Sequence, residues 1–123
     1  MAAIKSFTDI EQSRKLAEIL QLESADMEYL TIKENSASVA AVPFVKDDSE
    51  VEDSAYSHIY DRIACWSLTA LLSVLPKSLI YTPNQALDGY CCKNIMHDLE
   101  TYGDNPVDAC VAMIESLHEL NLL

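Results

Sequence analysis

The residues of this 123-residue chain with reactive chemistry to offer are four cysteines, three histidines and one crowded run of carboxylates. His97 beside Asp98, close to Cys92, is the one Cys/His/Asp grouping near in sequence, and its spacing matches no zinc knuckle or ribbon. It therefore reads as a core thiol next to a surface histidine. Cys65, followed by Trp66 at an expected helix start, has the position of an activated thiol, because helix N-termini favour the thiolate. Its apolar neighbours point instead to a core thiol and a core indole. Cys91 and Cys92 would point to opposite faces of a strand, which argues against their sharing a disulfide or a metal ion. With Cys110 also on an apolar stripe, all four are expected to be reduced thiols behaving as small hydrophobes. His118 falls on the polar side of the last expected helix, where it suits the negative end of the helix dipole. His58 joins no constellation.

Asp47, Asp48, Glu50, Glu52 and Asp53 crowd one short stretch. Paired carboxylates can act as general acid and base, but only where an apolar pocket separates their pKa values, and none is evident here. The run also lacks the D-x-[DN]-x-[DN]-G pattern of a calcium loop. It reads as a solvated loop, since like charges this close repel and resist burial. With only Gly89 and Gly103 in the chain, no phosphate loop or dinucleotide fingerprint can form, and neither G-x-S-x-G nor H-E-x-x-H occurs. The expectation is no catalytic residue, no metal site and no cofactor.

A formal charge of −12 and a pI near 4.3 disfavour direct binding to nucleic acid or to an anionic membrane surface. Residues 21–61 hold ten acids against two bases and are the acidic part of the chain. No apolar run is long enough for a membrane span, and Met1 to Thr8 lack the apolar core of a signal peptide, so a cytoplasmic location is expected.

The elements that would position these residues follow from caps and periodicity. Thr8-Asp9-Ile10-Glu11 has the form of a capping box, predicting a helix with Ile10, Leu16, Ala17, Ile19 and Leu20 inward and Arg14, Lys15 and Glu18 in water. Strands are predicted at 27–33 and 38–45, separated by a Glu34-Asn35-Ser36 turn, with Pro43 demoting the second to an edge or an irregular end. Tyr56, Ile59, Tyr60 and Ile63 are spaced helically and lead towards Leu68, Leu71, Leu72 and Leu75. An interruption is preferred, with Ser67 as N-cap of the second part and Pro76 ending it. A short meander is predicted from 79–82, 89–92 and 99–102, with Pro83-Asn84 and Lys93-Asn94 as turns. In the closing helix Asn105 is the N-cap, Pro106 the first residue and Asp108 in the first turn. Val107, Cys110, Met113, Ile114, Leu117 and Leu120 form its apolar stripe, backed by Asp108, Glu115 and Glu119. Together these predict a single α+β domain over residues 1–123, with about three helices packed on one side of a small antiparallel sheet.

Three stretches, 8–20, 65–76 and 104–110, resemble a group of short uncharacterised proteins of Bacteroides-type gut bacteria, often encoded in prophage or other mobile-element DNA. The shared residues are caps and core, so the resemblance transfers no functional residue. It implies a small intracellular accessory protein acting on phage, plasmid or host machinery. The expected function is binding to another protein, as a heteromeric partner or as a homo-oligomer, without catalysis. One alternative is an acidic mimic of nucleic-acid phosphates that occupies the basic cleft of a DNA-handling enzyme. The other is a small enzyme using Cys65, His97 or a carboxylate pair.

Overall fold

A computed structural model describes residues 5–32, 44–45, 60–75, 77–82 and 89–123. Its elements in chain order are α1 (Ile10–Ile19), a 3-10 turn (Leu22–Ser24), β1 (Met27–Ile32), β2 (Phe44–Val45) and β3 (Tyr60–Cys65). There follow α2 (Leu68–Val74), β4 (Ser78–Tyr81), β5 (Tyr90–Asn94), β6 (Leu99–Gly103) and α3 (Pro106–Glu119). Two compact units emerge, one of Asp9–Trp66 and one of Met1–Thr8 with Ser67–Leu123. The class is α+β as the sequence predicts, with the strands divided between two antiparallel three-stranded sheets.

In the Asp9–Trp66 unit the sheet order is β2-β1-β3. The capping box of α1 lies one residue later than the sequence suggests: Asp9 accepts from the Gln12 backbone at 2.8 Å and the Gln12 side chain accepts from the Asp9 backbone at 3.1 Å. Asp and Ser/Thr cap comparably well, so sequence alone left the frame open. Leu16 is fully buried on α1, and Ser13 is buried while Ala17 is exposed, reversing the expectation for Ala17. The helical spacing of Tyr60 and Ile63 is also overturned, because all six residues of β3 pair with β1, from Met27↔Cys65 to Ile32↔Tyr60. Ile63 and Cys65 are buried while Arg62 is exposed, a period of two that a spacing of three conceals. Trp66, fully buried, donates its indole N–H to the Ser24 hydroxyl at 2.9 Å.

In the other unit the meander forms as predicted, in the order β4-β5-β6, and α3 packs across all three strands. Ser67 caps α2 by accepting from the Ala70 backbone at 3.2 Å. Asn105 caps α3 by accepting from the Asp108 backbone at 2.8 Å, and Pro106 occupies the first turn. Val107, Cys110, Met113, Ile114 and Leu117 are buried as expected, and Ala109 and Val111 join them. Leu120 is 53 % exposed instead, because the helix ends at Glu119 and Leu120 is its C-cap.

Both glycines serve one corner of this unit. A Cβ on Gly103 would lie 2.5 Å from the Ala109 backbone nitrogen, and one on Gly89, whose φ is +116°, would lie 2.8 Å from the Gly103 carbonyl oxygen. The turn predicted at Lys93-Asn94 begins two residues later, at 95–98, with Asp98 at φ +53°. Asn94 ends β5 and secures that turn, accepting from the His97 backbone at 2.9 Å and donating to the Ser78 hydroxyl at 3.1 Å. Outside the described residues lie the Glu34-Asn35-Ser36 turn, most of the second predicted strand, the Asp47–Asp53 run, Tyr56, His58 and Ile59, together with Pro76, Pro83 and Asn84.

Candidate functional site

Strand alternation gives the β4-β5-β6 sheet two unlike faces. On one, Cys92 and Thr101 meet α3. The Thr101 hydroxyl donates to the Ala109 carbonyl at 2.8 Å, and the Cys110 thiol hydrogen-bonds the Cys92 sulfur. That hydrogen bond draws the Cys92 pKa down against the opposing effect of burial, while donating it, together with burial, drives the Cys110 pKa far up.

The opposite face carries a row Tyr81–Cys91–Tyr102 and, beside it, a row Leu79–Lys93–Glu100, both set by the strand register. Tyr102 is 60 % exposed, Leu79 40 % and Tyr81 37 %, whereas Cys91 between the tyrosines has no exposed surface. Their polar atoms meet one another, by hydrogen bonds and by ion pairs. Glu100 accepts the Tyr102 hydroxyl at 3.0 Å and the Cys91 thiol at 3.9 Å, and lies 3.8 Å from the Lys93 ammonium, which also reaches Asp98 at 4.0 Å. The Tyr81 hydroxyl hydrogen-bonds Cys91, which is the main reason its pKa is raised, and the carboxylate of Glu100 raises that of Tyr102.

A cysteine, a carboxylate and two phenols in contact have the composition of a proton relay. A relay acts on a substrate only where the substrate reaches it, and Cys91 has no exposed surface. What this face presents outward is aromatic and aliphatic surface whose tyrosine hydroxyls are already hydrogen-bonded, beside the Lys93–Glu100 ion pair, and it is continued at one end by Ile95 and Met96, each at least 60 % exposed. Alternation within the predicted strands would have placed Tyr81, Cys91 and Tyr102 together. Motifs for nucleophiles and metal ligands do not include them.

The Asp9–Trp66 unit has an open cleft of about 390 Å³. α1 supplies Arg14 and Ala17, the 3-10 turn Leu22, β1 Glu28, and β3 Arg62, Ile63 and Ala64. Glu28 stands 3.8 Å from an Arg62 Nη1, close enough for charge attraction and too far for a hydrogen bond. Arg14 is exposed and has no carboxylate within 4 Å among the described residues.

The sequence-stressed residues do not converge. Cys92 is buried under α3 while His97 is exposed on the 95–98 turn. His118 is exposed in the last turn of α3, and Cys65 is buried beside Tyr29, whose phenol pKa is pushed up to about 12 by burial first and by Cys65 second. All four cysteines are buried thiols. Among the described residues no three of His, Cys, Asp and Glu gather in a way that could hold a metal ion, and no helix is long and apolar enough to cross a membrane. No protein-family model matches the chain, and no curated protein or solved structure shows significant similarity to it.

Proposed function

We propose that this protein is a small accessory binding module of the cytoplasm, which docks the open face of its β4-β5-β6 sheet on an amphipathic helix of a partner protein and performs no catalysis. The observation that carries this is the Tyr81–Cys91–Tyr102 row. Two exposed tyrosines flank a buried thiol with their hydroxyls already bonded inside the patch, so covering them strands neither hydroxyl. Tyrosines of this kind contribute strongly at protein interfaces because a large ring is immobilised at small entropic cost.

The occupant follows from layer architecture and from charge. α3 already covers one face of the meander, and a helix in trans would cover the other, giving a helix–sheet–helix sandwich. The chain carries −12 overall, while the Lys93–Glu100 pair cancels at the centre of the face. The matching helix is therefore apolar along its stripe and basic at its flanks.

The test uses the full chain and two variants, Tyr81→Ser with Tyr102→Ser, and Leu123→Ser as an exposed control remote in sequence. Each is titrated with a synthetic Leu/Lys amphipathic helix and used for quantitative capture from a bacterial lysate. The expected result is saturable peptide binding and one stoichiometric captured protein, both lost in the tyrosine variant and kept in the control. Binding that survives loss of both tyrosines, or no binding at all, overturns the proposal.

A further inference from the structure

We infer that the cleft between α1 and β3 is a binding site for a small apolar monocarboxylate, with the carboxylate held between Arg14 and Arg62 and the tail laid over Leu22, Ala17 and Ile63. This site lies within the Asp9–Trp66 unit and is independent of the sheet face proposed above for docking.

Charge sets the head group. Arginines are scarce in a chain with eight bases and twenty acids, yet two of them line one cleft. Among the described residues of the lining Glu28 is the only carboxylate, so these two guanidinium groups and one anion carry a single positive charge, which one ligand carboxylate neutralises. The guanidinium groups also have donors to give. Arg62 meets Glu28 at 3.8 Å without a hydrogen bond, and Arg14 has no carboxylate partner among the described residues. A planar fork of this type recognises a carboxylate through paired N–H donors, a geometry an ammonium cannot copy.

Shape sets the rest. A volume of about 390 Å³ is within the range of small-molecule sites, and the other described residues of the wall are aliphatic, with Leu22 53 % exposed. A ligand tail there removes leucine surface from water. An inorganic anion would use the arginines and leave that wall wet, whereas an apolar carboxylate uses both.

The test is amide and arginine side-chain NMR of the full chain titrated with octanoate, with octanol and acetate as the two half-ligands. Saturable shifts centred on Arg14, Arg62 and Ala64 are expected for octanoate, with each half-ligand at least roughly tenfold weaker. Arg14→Gln, an exposed change that leaves the fold in place, should weaken octanoate about tenfold. Glu28→Gln should tighten it, because the anion that competes for Arg62 among the described residues is then gone. Equal shifts from octanol, equal binding of acetate, absence of saturable shifts, or an Arg14→Gln protein that binds like the parent would each overturn the inference.

Discussion

Thr101 on β6 donates its side-chain hydroxyl to the backbone carbonyl of Ala109 on α3 at 2.8 Å, a side-chain bond that ties the closing helix to the sheet beneath it. The Cys92–Cys110 thiol contact joins the same two layers from β5. Replacing Thr101 by Val keeps the shape and removes the donor. Because the Ala109 carbonyl keeps its place in the helix, the expected loss is about 0.5–1.5 kcal/mol in urea denaturation. An unchanged midpoint would mean that the bond adds nothing to the docking of α3.

Asn105 is bonded twice to the first turn of α3. Its Oδ1 accepts from the Asp108 backbone at 2.8 Å and its Nδ2 donates to the Asp108 carboxylate at 2.9 Å. That carboxylate also meets the Lys5 ammonium at 3.0 Å. Asn105→Ala should cost about 0.5–2 kcal/mol, measured by the same denaturation. A loss below that range would show that Pro106 and Asp108 start the helix without the cap.

Leu117 and Leu120 are three residues apart on α3 and differ in burial, at 2 % and 53 % exposure. Leu117→Ala should cost roughly 2–5 kcal/mol through lost burial and the cavity it leaves. Leu120→Ala should change stability by less than about 0.5 kcal/mol, as exposed positions do. Equal losses would extend the buried stripe one turn beyond Leu117.

Tyr29 gives a pH dependence of definite sign. The residue is 4 % exposed, and burial, the neighbouring Cys65 and then Asp9 raise its phenol pKa from the ordinary value of 10.0 to about 12. The unfolded chain releases this proton first, so the contribution is fully present below pH 10 and is lost as pH rises towards about 12. Thermal melts across that interval should show Tyr29→Phe losing less stability than the parent. Parallel losses would place the alkaline sensitivity elsewhere.

The four buried thiols should react slowly with a thiol reagent in the native protein and completely once it is unfolded. Circular dichroism should be indifferent to a chelator, since structural zinc would supply folding free energy outright. Rapid native labelling of one cysteine, or unfolding on chelation, would contradict their role as packed core.

Much of the fold was legible because it is written locally. Asn105-Pro106 and Ser67 mark helix starts through hydrogen bonds within three residues, and the chain there has no better alternative. The capping box was legible as a motif but not in its frame, since Thr8, Asp9, Glu11 and Gln12 offer two chemically similar registers. The Tyr60–Cys65 segment is ambiguous in sequence, because Tyr60 and Ile63 have helical spacing while Ile63 and Cys65 alternate as in a strand, and pairing with β1, distant in the chain, decides between them.

By itself, the sequence determined the acidic charge, the α+β class, the caps and most of the α3 core, all of which depend on residue type and near neighbours. Tertiary structure alone decided what meets what. It buried Cys91 between Tyr81 and Tyr102 in the strand register, brought the Cys92 thiol of β5 to the Cys110 thiol of α3, and set Arg14 of α1 and Arg62 of β3 along one cleft. The physical reason is that strand register and helix docking bring together residues far apart in the chain. Their chemistry depends on distances between elements that no local pattern encodes.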